Sequence, residues 1–233
     1  MKDIEDKSIN AIICDLPYGT TANKFDSVID LNKLWEQYER IITDKGAIVL
    51  FGSQPFTTDL IMSNRKLFKY QLIWKKNKST NFLNAKCQPL KIHEEIVVFS
   101  KSAASYSKKG SMTYNPQMTE GKPYTSVTGD SRFRFHSMPT GYKHENKGTR
   151  CPQSILEFPV ESGYHPTQKP QELYKYLIST YSNEGDLILD NACGSGTIGI
   201  AQTIGRNYIG IEKDENYYNI ACERVKNNYM TSN

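Results

Sequence analysis

The segment running from Leu187 to Glu212 leaves the chain few ways to fold. Leu187–Asp190 is an apolar run closed by an acid, and a glycine-rich turn follows to Thr197. Residues 198–205 have helical character, and 207–212 form a second apolar run closed by a second acid. Two strands joined through a helix lie parallel, and a parallel sheet needs helices over both faces. Upstream, strand signals at 11–14, 47–51, 68–74 and 95–100 alternate with helical spacing at 30–42 and 55–64. Asp30 is placed as the cap of the first helix and a proline opens the second. Another helix is expected over Gln171–Tyr181, and a last one over 214–227 with Asp214 as its cap. The alternation predicts an α/β sheet with parallel strands.

Ligands of such sheets bind at the carboxyl ends of the strands. Gly194, Gly196 and Gly199 let backbone approach a ligand at the mouth of the following helix. Glu212 can accept both hydroxyls of a ribose. The spacing also satisfies GxGxxG, so a nicotinamide cofactor stays open here. Asp190 favours another nucleoside, because an acid at the strand end suits a ligand amine better than a pyrophosphate. An amine and a ribose without phosphates describe S-adenosylmethionine.

A second chemical stretch is Ala11-Ile-Ile-Cys-Asp-Leu-Pro-Tyr-Gly19. It reads as a buried strand end followed by a turn at Pro17 and Gly19. Asp15 supplies a carboxylate and Tyr18 an aromatic face. Leu16 and Pro17 supply main-chain carbonyls with few intrachain partners, because regular structure does not run through Pro17. Such a set can grip a planar heterocycle: the oxygens accept its amino hydrogens and the ring stacks on its face.

Between the two sites, residues 101–160 lose all periodicity. They hold nine Lys/Arg against four Asp/Glu, interleaved with Tyr106, Tyr114, Tyr124, Phe133, Phe135, Tyr142 and Phe158. The chain's net charge is only +4, so its basic excess sits in this insert. Aromatic and basic residues together suit nucleic acid, and a solvated loop excursion is the competing reading. Five scattered cysteines without a CxxC pair point to reduced thiols, and the four histidines form no metal-ligand cluster. No apolar run is long enough to span a membrane and no signal peptide is visible, so a cytoplasmic protein is expected.

The two sites together resemble the amino-methylating DNA methyltransferases, which modify N6 of adenine or N4 of cytosine. The family's catalytic tetrad, (Asp/Asn/Ser)-Pro-Pro-(Tyr/Phe), stands here as Asp15-Leu16-Pro17-Tyr18. Its cofactor loop stands as Asp190-Asn-Ala-Cys-Gly-Ser-Gly-Thr197, its ribose strand as Tyr208-Ile-Gly-Ile-Glu212, and its lead-in helix follows His165-Pro-Thr-Gln-Lys-Pro170. Tetrad first, insert second and cofactor loop third is the order of the family's beta group. Leu16 replaces the first proline, Ala192 a usual phenylalanine, and the chain starts close to the catalytic strand.

The resemblance implies an α/β fold with a Rossmann-like, mixed, mostly parallel sheet, divided into a catalytic half at 1–100, an irregular target-recognition insert at 101–160 and a cofactor half at 161–233. It implies S-adenosylmethionine as methyl donor and double-stranded DNA as partner, with a homodimer left open. Asp15, Leu16, Pro17 and Tyr18 would act on a flipped base, most simply adenine, since position 15 is Asp rather than Ser. Asp190, Asn191, Ala192, Gly194, Ser195, Gly196, Thr197 and Glu212 would hold the cofactor, with His165, Thr167 and Lys169 lining the same pocket. No metal is implied. The sequence also admits cytosine N4 methylation, a catalytically inert DNA-binding relative and a nicotinamide dehydrogenase. RNA and protein-amide methyltransferases share the tetrad but place the cofactor loop before it.

Overall fold

The computed structural model describes residues 1–18, 29–105, 110–127, 141, 143–164 and 167–230, without the side chains of 228–230. In chain order the elements are β1 (Ile9–Cys14), α1 (Leu31–Ile41), β2 (Ile42–Gly52), α2 (Phe56–Ser63), β3 (Phe68–Thr80) and β4 (Lys91–Ser100). Next come β5 (Thr119–Glu120), β6 (Tyr124–Val127), β7 (Lys143–Asn146), β8 (Thr149–Arg150) and β9 (Ile155–Glu157). The chain ends with α3 (Gln171–Tyr181), β10 (Leu187–Asp190), a 3₁₀ segment (Thr197–Ile204), β11 (Asn207–Gly210) and α4 (Glu215–Met230).

Seven strands form one sheet in the order β11-β10-β1-β2-β4-β3-β9. β4 runs antiparallel to both its neighbours and every other pairing is parallel, so the sheet is mixed and mostly parallel, as expected. Alternation along the strands sends successive residues to opposite faces. Ala11, Ile13, Val49, Phe51, Ile96 and Val98 pack with Leu173, Leu177 and Tyr181 of α3. Ile12, Cys14, Ile48, Leu50, Val97 and Phe99 pack on the other face with Leu34, Trp35, Tyr38 and Ile41 of α1 and Leu60 of α2. Both faces are therefore closed by helices, which is why β1 and β10 read as unbroken apolar runs.

Local signals act where the sequence put them. Asp30 caps α1 by accepting from the backbone amides of Asn32 and Lys33, and Asp214 caps α4 by accepting from those of Asn216 and Tyr217. α3 and β10 take the bounds that periodicity predicts. β3 and β4 outrun their predicted bounds and form a hairpin with a short 3₁₀ turn (Phe82–Asn84) near its tip.

Residues 1–115 and 154–233 form one compact unit, and Pro116–Gln153 a second. The second unit contains two small antiparallel ribbons, β5 with β8 and β6 with β7. It starts later and ends earlier than the aperiodic stretch 101–160, because Met112 joins the core and Leu156 sits on the edge strand β9.

Candidate active site

Ala11 lies opposite Ile188 and Ile12 opposite Leu189, so β1 and β10 are parallel neighbours and the chain leaves both at the same edge. Residues 15–18 follow β1 and residues 191–196 follow β10, which brings the two stretches singled out in the sequence onto one rim. Beneath them the buried Cys14 thiol neighbours the Asp190 carboxyl, and burial with that charge pushes the thiol well above its ordinary pKa.

On the β1 side, Leu16 is buried while Asp15, Pro17 and Tyr18 are half-buried. The Tyr18 ring stacks on Phe56, with centroids 5.0 Å apart and planes 26° from parallel. Its hydroxyl donates to Oδ1 of Asp15, and the Lys169 ammonium donates to Oδ2. Burial and the neighbouring carboxylate push the Tyr18 hydroxyl well above its ordinary pKa, which keeps it a donor.

Lys169 stands just ahead of α3 with its side chain only 7% exposed. Besides Asp15 it faces Oε2 of Glu94 at 3.4 Å and lies over the Phe51 ring, 5.1 Å from its centroid. The other Glu94 oxygen accepts from Lys76, which lies 4.8 Å over the Trp74 ring. Glu94 and Trp74 are direct partners across the β3–β4 ladder. Burial alone would lower the Lys169 pKa, but the charges of Asp15 and Glu94 outweigh it and hold the ammonium above its usual range. Burial alone would raise Glu94, and Lys169 with Lys76 outweighs it in turn, holding that carboxyl below its usual range.

On the β10 side the loop is held from within. Asp190 is 1% exposed and accepts from the Ala192 amide and the Tyr174 hydroxyl, each at 3.1 Å. Burial pushes its pKa up to about 7, against the pull of those donors. Glu212 accepts from the backbone amide of Gly194 at 2.8 Å through one oxygen, and from Lys213 and Asp214 through the other. The Tyr38 hydroxyl donates to the Asn191 side chain. Ser195, Gly196 and Thr197 are buried beneath the rim. There Arg224 of α4 donates from Nη1 to Ser195 Oγ and Thr197 Oγ1, both at 3.1 Å. The Thr197 hydroxyl reaches the main-chain carbonyl of Lys169 at 3.4 Å.

Two of the glycines serve packing instead of ligand approach. A Cβ on Gly196 would lie 2.7 Å from Cβ of Ala221, and one on Gly199 2.6 Å from a methyl of Val225. Both make room for α4. The half-buried part of the loop, namely Asn191, Ala192, Cys193 and Gly194, stays within reach of a ligand, together with Glu212. A carboxylate beside backbone amides and the apolar Ile211 and Ala192 fits a nucleoside better than a polyphosphate.

Thr167 is exposed, and His165 lies outside the described residues. Lys169, expected in the cofactor pocket, instead directs its ammonium to Asp15. Sequence reasoning assigns no role to Glu94 or Arg224. Arg224 carries no local signal, whereas Glu94 has a weak one: with Glu95 it forms a pair of acids at the head of the apolar run 96–99. Among the described residues no group of His, Cys, Asp and Glu could hold a metal, and no helix is long and apolar enough to cross a membrane.

Residues 9–223 match the family model described as DNA methylase. The chain is 29% identical over 247 residues to the DNA adenine methyltransferase YhdJ of Escherichia coli, spanning 97% of this chain and 79% of that protein. Its fold matches the SAM complex of M1.HpyAVI with a TM-score of 0.60 at 22% identity, over 96% of this chain and 90% of the other. It also matches the cytosine-N4-specific PvuII DNA methyltransferase with a TM-score of 0.62 at 13% identity, over 99% and 88%.

Proposed function

The chain belongs to the DNA methylase family of amino-methylating DNA methyltransferases, and from that premise we propose that it methylates adenine N6 in double-stranded DNA, as a cytoplasmic enzyme. The observation that carries this reading is the shared rim: Asp15 and Tyr18 leave one parallel strand where Gly194 leaves the next. The preference for adenine rests on the carboxylate at position 15 and on the likeness to YhdJ.

The rim fits S-adenosylmethionine through Glu212, Asn191, Ala192 and the Gly194 turn, with Asp190 and Arg224 holding that turn from below. Bound there, the cofactor would supply a methyl group on a positively charged sulfur; transfer to the base nitrogen would leave a neutral thioether and release one amine proton.

An exocyclic amine is a poor nucleophile because its lone pair is spread into the ring. Asp15 and the Leu16 carbonyl accept its two hydrogens and so concentrate that pair on nitrogen. This help exists only in one geometry, which is where positioning contributes to rate. Tyr18 stacks on the base, whose removal from the duplex costs a few kcal/mol. To admit the amine, Tyr18 must first give up Oδ1 of Asp15.

DNA contact is assigned to the unit Pro116–Gln153, where Arg150 lies over the Tyr124 ring, 4.9 Å from its centroid, and Tyr124 neighbours His144. Base-resolved methylation mapping of DNA from cells expressing the chain tests base and site together. N6-methyladenine is expected, and N4-methylcytosine in its place would reassign the base. Asp15→Ala is expected to abolish methylation with S-adenosylhomocysteine affinity nearly intact; comparable methylation by that variant would remove Asp15 from its role.

A further inference from the structure

We infer that Lys169 is a positioning residue for the catalytic carboxylate, one member of a row of alternating charges that runs Lys76, Glu94, Lys169, Asp15. The inference deepens the proposed function and rests on it. A buried charge is tolerated only where partners surround it, and losing one partner strands the next. The row meets that demand at each step: Lys76 to Glu94, Glu94 to Lys169, Lys169 to Asp15. Its far end is anchored in the β3–β4 ladder and its near end lies at the rim.

The row aims Asp15. Lys169 occupies Oδ2 and leaves Oδ1 as the oxygen that Tyr18 holds and an incoming amine would take. Lys169 also touches the other half of the site, because its main-chain carbonyl accepts from Thr197 in the glycine loop. Thr197 is in turn held by Arg224. One residue therefore ties the carboxylate to the loop that carries the cofactor. Both acids facing the Lys169 ammonium, Asp15 and Glu94, belong to the target side of the site, which separates this role from cofactor binding.

The test is single-turnover methyl transfer to duplex DNA at saturating cofactor, with S-adenosylhomocysteine affinity measured by calorimetry on the same preparations. Lys169→Met is expected to slow transfer about 100-fold, the order of loss for a misplaced catalytic group, with affinity changed less than about threefold. Lys169→Arg is expected to recover at least about tenfold of that loss, since a guanidinium can still pair with a carboxylate. Glu94→Gln is expected to slow transfer about tenfold with affinity again held, and it carries the test if Lys169→Met fails to fold. Parallel loss of affinity and rate in these variants, or transfer at the wild-type rate, overturns the inference. In those cases the wild type still methylates DNA and the proposed function stands. A wild type that transfers no methyl group to DNA overturns both.

Discussion

At the residue scale a donor already holds the oxygen that the proposed function gives to the substrate amine. Tyr18 caps Asp15 through its hydroxyl while its ring leans on Phe56. Tyr18→Phe keeps the ring and is expected to hold the first-turnover rate within about threefold, whereas Tyr18→Ala loses the stacking face and about 1–3 kcal/mol of base binding. Rapid-quench methylation of duplex DNA distinguishes the two. Asp190 makes a different prediction. Its carboxyl titrates near 7 in the fold and near its ordinary 3.8 in the unfolded chain, burial being the main cause. Between those values the folded state holds the extra proton, so the acid costs stability as pH rises from about 4 to about 7. Asp190→Asn removes that cost, and its stability relative to wild type is expected to climb across this interval in denaturant titrations.

At the scale of elements, the glycines of the cofactor loop illustrate a general ambiguity. Spacing such as Gly194, Gly196, Gly199 looks the same whether a ligand or a helix needs the room. Here α4 takes the room at the last two. Gly196 also has a φ of +77°, so Gly196→Ala adds backbone strain to a clash with the backbone of Ala221. It is expected to cost about 1–3 kcal/mol and to weaken S-adenosylhomocysteine binding, read as a lower Tm and a smaller ligand-induced rise in Tm. The elements that were legible, α3, β10 and the capped ends of α1 and α4, carry their instructions within a few residues. The hairpin of β3 and β4 does not, because its polar half beyond Trp74 is held by pairing between strands. Glu94 acquires a role only when that pairing sets it opposite Trp74 and within reach of Lys76. Lys169 and Asp15 are 154 positions apart, so no local pattern could join them. Arg224 looks like any basic residue of a surface helix until α4 docks on the loop.

At the scale of the whole molecule, the charge distribution bears on the proposed DNA contact. The excess of Lys and Arg in 101–160 lies on an otherwise near-neutral chain. DNA affinity is therefore expected to fall steeply with salt, and Arg150→Ala is expected to weaken binding and flatten the plot of log affinity against log salt, by a slope of about 1 if Arg150 contacts one phosphate. Fluorescence anisotropy across a salt series measures both. The order of tetrad, insert and cofactor loop was readable along the chain, while the true bounds of the second unit were not. They depend on Met112 and Leu156 finding places in the first unit's core and sheet.

If Asp15 and the Leu16 carbonyl hold the amine as proposed, the Tyr18 hydroxyl that rests on Asp15 also bears on how a reaction cycle closes. A base that has gained its methyl group offers one amine hydrogen where it offered two, so its hold on Asp15 and the Leu16 carbonyl is halved. Tyr18 can then reclaim the freed oxygen and help expel the product. Without that hydroxyl, release becomes the slow step, and Tyr18→Phe would show a rapid first burst of methylated DNA followed by sluggish turnover.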